Sequence, residues 1–228
     1  MKIIIIAGGE GKRWNNYKGI RKHFAVINGE RLVDRTIRLF KDVAEDKILF
    51  FTKKGSFVDG VTNAFNMRPL QQKYDDIEKI AITRPFWNEN GKTLLLLGDV
   101  YFTDEGADII KNLAVKDWFQ YGRLGRSNIK WKHPSNENFA LSFYPEHFDL
   151  ILNSMDKSVK LLKEGKIRHN KMAQLYRIMC GKDGVDADYR QLPQENLGHF
   201  VEINDATDDI DYPEDYEDFI KYFERNNK

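Results

Sequence analysis

Glycines at positions 8, 9 and 11 stand between an apolar run, Ile3 to Ala7, and a basic pair, Lys12 and Arg13. Glycine lets a backbone approach a ligand closely, and N–H groups exposed in such a loop form a cradle for an anion. With two cations beside it, phosphate is the chemistry this pattern suits. The other reading of the same residues is a tight strand-to-helix turn with no ligand. A second loaded position is Asp99, which directly follows Leu94-Leu95-Leu96-Leu97-Gly98. It sits at the carboxyl end of a buried strand, where ligands of open α/β sheets collect. That makes Asp99 a metal-ligand candidate, set against an ordinary turn aspartate. A third is the acidic stretch Asn204 to Tyr216, in which Asp211 precedes Pro213 by two residues and would also suit a helix start.

Two familiar glycine fingerprints do not fit. A P-loop ends in Gly-Lys-Ser/Thr, whereas Gly11-Lys12 is followed by Arg13, so no hydroxyl is placed for a metal. A dinucleotide fold opens a helix immediately after its glycines, whereas Trp14-Asn15-Asn16-Tyr17-Lys18-Gly19 reads as further loop.

The elements that must position these residues follow from periodicity. Ile3 to Ala7 and Thr93 to Leu97 are short, wholly apolar runs that suit central parallel strands covered on both faces. Val33, Ile37, Phe40 and Val43 recur at helical spacing after Gly29, and Lys47 to Thr52 is a short β-rich run. Helices are expected over Asp75 to Ile82, Asp104 to about Leu113, Lys171 to Cys180, from Pro145 to about Lys163, and from Pro213 onward. Strands are expected near Asp117 to Tyr121, over Phe139 to Tyr144 and over His199 to Ile203. Gly122 to Asn138 is basic and polar, and its Gly122 to Arg126 run reads as a loop over the site; Arg123, Arg126 and Lys130 could meet an acceptor phosphate. Such alternation indicates an α/β fold with a mostly parallel sheet.

The 228 residues suffice for one substantial core, and a single domain over 1–228 is expected. Thirty-six basic and 35 acidic side chains nearly cancel, so no global field favours nucleic acid or an anionic membrane, and any anion site must be local. No apolar run approaches the roughly 20 residues that span a bilayer. Cys180 is alone, which excludes an internal disulfide and fits a reducing, cytoplasmic setting. Trp14, Trp87, Trp118 and Trp131 read as core or lid, since no aromatic-basic stripe accompanies them.

Three segments together resemble the nucleotidyltransferase superfamily with a nucleotide-diphospho-sugar transferase (GT-A-like) fold: Ala7-Gly8-Gly9-Glu10-Gly11-Lys12-Arg13, Lys22-His23-Phe24 and Asn28-Gly29-Glu30-Arg31-Leu32. Arg21 stands where that family usually has proline before the lysine. Gly98-Asp99-Val100 and Ile210-Asp211-Tyr212-Pro213-Glu214-Asp215 are similar to its two metal-binding segments. The resemblance implies a three-layer α/β/α fold. It implies nucleotide contacts from Ala7, Gly8, Gly9 and Gly11, phosphate contacts from Arg13 and Lys22, and Mg²⁺ held by Asp99 and Asp211, with Asp209 in reserve. His23 could contact phosphate or serve packing. The activity implied is coupling of a nucleoside triphosphate to a phosphorylated small molecule with release of pyrophosphate. A glycosyltransferase on the same fold commonly carries Asp-x-Asp, whereas Asp99 is followed by Val100 and Tyr101; a non-catalytic nucleotide-binding protein is the third reading.

Overall fold

Four consecutive isoleucines, Ile3 to Ile6, can all be buried as a strand only if both faces of its sheet are covered. The computed structural model, which describes residues 1–9, 11–52, 56–65, 77–133, 136–182 and 196–226, places them so. Ile3 and Ile5 enter one core and Ile4 and Ile6 another, on opposite faces of β1 (Lys2–Ala7). A long loop then leads to a small ribbon, β2 (Val26–Ile27) with β3 (Glu30–Arg31), and into α1 (Leu32–Phe40). Next come β4 (Leu49–Thr52), β5 (Thr62–Phe65), α2 (Glu78–Ala81), β6 (Thr93–Leu97), β7 (Val100–Tyr101) and α3 (Asp104–Asn112). The second half holds β8 (Phe119–Arg123), β9 (Glu137–Phe143), α4 (Phe148–Lys163), α5 (Met172–Met179), β10 (Phe200–Glu202), β11 (Asp208–Asp209) and α6 (Pro213–Asn226).

Seven strands form the central sheet in the order β10-β8-β9-β6-β1-β4-β5. β9 runs antiparallel to its neighbours β6 and β8, and the other pairings are parallel. Helices α1 and α3 cover one face through Val33, Phe40, Ala107 and Ile110. The other face is covered by α2, α4 and α5 through Ile80, Ile151, Met155 and Leu175. This is the three-layer α/β/α arrangement. A third apolar cluster joins Trp14, Ile27, Leu32, Tyr101, Ile210 and Phe219, and it fastens α6 against the loop that follows the glycines.

Most elements lie where periodicity puts them. Pro145 opens a 3₁₀ turn, Pro145–His147, and α4 proper starts at Phe148. One expectation is corrected: Gly122 and Arg123 are not loop but the end of β8. A Cβ on Gly122 would lie 2.2 Å from the Glu137 carbonyl oxygen, so glycine here permits close pairing with β9 rather than a flexible turn. Trp14, Trp87 and Trp118 are buried, whereas Trp131 is 79% exposed and belongs to no core. Cys180 is half-buried at the end of α5, and burial pushes its thiol above the ordinary range, away from a reactive thiolate. No helix among the described residues is long and apolar enough to cross a membrane.

Candidate active site

The site is built at the carboxyl edge of β1 and β6. Their register pairs Ile6 with Leu97, so Ala7 and Gly98 leave the sheet side by side. The Gly98 N–H donates to the Ile6 carbonyl at 2.9 Å, and a Cβ on Gly98 would lie 2.7 Å from that of Ala7. Only glycine allows this approach, and it brings Asp99 against the first residue of the glycine loop. Within the loop Gly11 adopts a positive φ of 63°, a conformation that a side chain would strain. The following residues, Asn15, Asn16 and Lys18, are also left-handed, which confirms loop in place of the helix a dinucleotide fold would have there.

Asp99 and Asp211 are distant in sequence, and a two-strand ribbon joins them. β7 directly follows Asp99 and pairs antiparallel with β11, Asp209 opposite Val100. The Ile210 N–H then donates to the Asp99 carbonyl at 2.9 Å, which sets Asp211 beside Asp99. Buried Asp215 locks the segment from the other side, its Oδ2 accepting from the N–H groups of Asp211 at 2.9 Å and Tyr212 at 2.8 Å. Asp211 therefore directs its carboxylate into the site, and the helix-start role falls to Asp215.

Lys22, from the 3₁₀ turn Lys22–Phe24, fills the space between the two acids. Its Nζ lies 2.6 Å from Asp99 Oδ2 and 2.8 Å from Asp211 Oδ1. The Arg13 guanidinium grips the other oxygen of Asp211, with Nη1 2.6 Å from Oδ2, and lies over the Tyr212 ring, on which His133 also stacks. Burial works against the Lys22 charge, but the two carboxylates more than offset it and raise the lysine above its ordinary value. Burial likewise pushes Asp99 upward, yet the charge and hydrogen bond of Lys22 prevail and hold its carboxyl below the usual range, with Lys79 adding in the same sense. Lys22 and Asp99 are thus both ionised at neutral pH. His23, next to Lys22, is buried against the rings of Phe24 and Phe50; burial lowers its pKa to about 4. Of its two readings the structure favours packing.

A second ion cluster lies behind the first. Arg123 Nη1 is 2.6 Å from Asp208 Oδ2, and Lys130 Nζ reaches Asp208 at 3.2 Å, Glu137 at 3.5 Å and Asp209. Arg123 and Lys130 are buried, so neither is offered to an acceptor phosphate as the sequence suggested. Asp209, the reserve metal ligand, is the more deeply buried acid, its side chain 7% exposed against 31% for Asp99 and 16% for Asp211, which leaves it less accessible to a metal. Burial is the largest influence on both neighbouring acids, raising Asp209 well above the ordinary carboxylate range and Glu137 to about 7. Arg126 is exposed. Base preference is expected to depend on backbone near Ala7 and on the weakly patterned stretch Lys53 to Pro85, of which residues 53–55 and 66–76 lie outside the described residues.

Among the described residues, no group of three or more His, Cys, Asp or Glu side chains is arranged to enclose a metal. Mg²⁺ does not require one, since it binds through one or two carboxylates and takes its remaining ligands from water and substrate phosphates. Asp99 and Asp211 meet that need, because an oxygen of each already lies within 2.8 Å of one shared cation, the Lys22 ammonium.

Nothing in the sequence places the Lys79 ammonium facing Gly9, nor brings Arg123, Asp208 and Lys130 together. Neither has a local signal: in each case the partner comes from a remote segment, and charge alone does not reveal it.

No protein-family model matches the sequence, and no curated protein does. Solved structures do resemble the fold. A protein of Bacillus anthracis described as a glucose-1-phosphate thymidylyltransferase aligns at TM-score 0.59 and 15% identity, over 97% of this chain and 94% of its own. The 2-C-methyl-D-erythritol 4-phosphate cytidylyltransferase of Thermus thermophilus gives 0.56 and 14%, over 97% of each chain. The inositol-1-phosphate CTP transferase of T. maritima gives 0.53 and 14%, over 98% of this chain and 96% of its own. Identities this low speak to architecture alone, and the architecture of this chain is the GT-A-like fold those nucleotidyltransferases share.

Proposed function

We propose that the protein is a nucleotidyltransferase that couples a nucleoside triphosphate to a phosphorylated small molecule, a sugar phosphate or similar acceptor. The observation that carries this reading is the convergence of Lys22, Arg13, Asp99 and Asp211 beside the glycine loop. In the reaction an acceptor phosphate oxygen forms a bond to the α-phosphorus, the bond from that phosphorus to the α–β bridging oxygen breaks, and pyrophosphate leaves with the electron pair. The attacking oxygen is already ionised at neutral pH, so no general base is needed. That agrees with a site whose acids and bases, Asp99, Asp211, Lys22 and Arg13, are all committed to ion pairs.

Catalysis then consists of alignment and charge neutralisation. N–H groups of Gly8, Gly9 and Gly11 orient the triphosphate. Arg13 can grip two phosphate oxygens at once, and Lys22 supplies a compact charge where negative charge builds up on the α-phosphate. Asp99 and Asp211 are the residues that would hold Mg²⁺, which when bound neutralises phosphate charge and templates in-line displacement.

A thermal-shift panel of the common triphosphates, with and without Mg²⁺, tests the binding half of this reading. One base should raise Tm by roughly 5–10 °C at a hundredfold excess over its Kd, with a smaller rise when Mg²⁺ is chelated. No shift with any triphosphate would contradict it.

A further inference from the structure

Gly9 differs from Gly11 in its backbone: it has no positive φ that would demand glycine. What distinguishes it is the group facing its open side. A Cβ built on Gly9 would lie 3.6 Å from Lys79 Nζ, so an atom entering there meets both the glycine-loop backbone and an ammonium within contact range. Lys79 projects from α2, which is anchored on either side of it by Ile77 and Ile80, both buried in the core beneath β1 and β6. The lysine is therefore presented from a fixed base. Lys79 makes no ion pair with any described residue, whereas Lys22 and Arg13 are both neutralised by Asp99 and Asp211.

Two cations paired with acids must be partly released before they can serve a phosphate. An ammonium within contact range of Gly9 adds a cation directly beside the glycine loop, and loop amides with a flanking cation are the elements of a polyanion cradle. We propose that Lys79 is a triphosphate-binding residue, closing the glycine loop from the α2 side and adding a third cation to Lys22 and Arg13. This rests on the nucleotidyltransferase reading and adds to it a residue outside the segments that carry the sequence resemblance.

The test is calorimetric titration of inorganic tripolyphosphate in the presence of Mg²⁺, which reads the cradle without needing the base or the acceptor. Lys79→Gln should bind about tenfold more weakly, the loss expected for one charge-assisted hydrogen bond, and Lys79→Arg should recover most of the affinity. Lys160→Gln, which removes an equal charge from the exposed face of α4, should bind as the parent does. Equal binding by the parent and Lys79→Gln, or equal weakening in Lys79→Gln and Lys160→Gln, would overturn the role of Lys79 alone. Failure of the parent protein to bind tripolyphosphate would overturn the nucleotidyltransferase reading with it.

Discussion

Replacing Lys22 with alanine should slow turnover about a hundredfold while the protein still folds. Losing one well-placed donor to a charge that develops in the transition state raises a barrier by about 3 kcal/mol, and Lys22 is held where such a donor is needed, between Asp99 and Asp211. Melting followed by circular dichroism would establish that the variant folds, and steady-state rates would give the loss. The same geometry predicts a second, opposite effect. In the parent, free Mg²⁺ must compete for the two carboxylates with an ammonium tethered between them. Without Lys22 the acids keep, among the described residues, one ion pair, that of Asp211 with Arg13, so Mg²⁺ alone should stabilise the variant more than the parent. Turnover within about threefold of the parent would remove Lys22 from the mechanism.

Lys130→Met should cost stability rather than chemistry in the first instance, by about 3–5 kcal/mol, because removing one partner of a buried ion pair leaves its counter-charges without compensation. Lys130 is 3% exposed and serves three acids, Asp208, Asp209 and Glu137. For a chain of this length the loss corresponds to a fall in Tm of roughly 10 °C near neutral pH. The pH dependence has a definite sign. Glu137 has a raised pKa, about 7, in the folded protein, so the folded state binds more protons than the unfolded state between about 4.5 and 7. Its contribution is fully present below the unfolded value and is lost as pH rises through 7. Removing Lys130 takes away the charge that opposes this shift, so the variant should recover much of its lost Tm between pH 7 and pH 5. A pH-independent Tm equal to that of the parent would show that Lys130 does not compensate the buried charges of Asp208, Asp209 and Glu137.

How much of this was legible in the sequence differs between the strands and the charges. Ile3 to Ile6 and Leu94 to Leu97 announce themselves, because an uninterrupted apolar run of strand length has few other solutions in water. The terminal helix is equally plain from Pro213. Asp99, Asp211, Lys22 and Arg13 could be nominated from short motifs, but their meeting depends on the β7–β11 ribbon, which has only two residues per strand and no periodic signal. Gly122-Arg123 shows the opposite failure. A glycine beside an arginine looks like solvated loop, and only the partner carboxylate of Asp208, far along the chain, explains why the arginine is buried. Lys79 is silent for a related reason: the helix that carries it is one turn long, and its significance lies in what it faces.

The most direct test of the whole account is to analyse the products of a triphosphate incubated with Mg²⁺ and a panel of phosphorylated acceptors. Nucleotidyl transfer predicts pyrophosphate and a nucleotide-diphospho product in equal amounts from one pairing, with Asp99→Asn reducing both together. Release of a nucleoside diphosphate from a nucleotide sugar, or binding of triphosphate with no pyrophosphate from any acceptor, would contradict it.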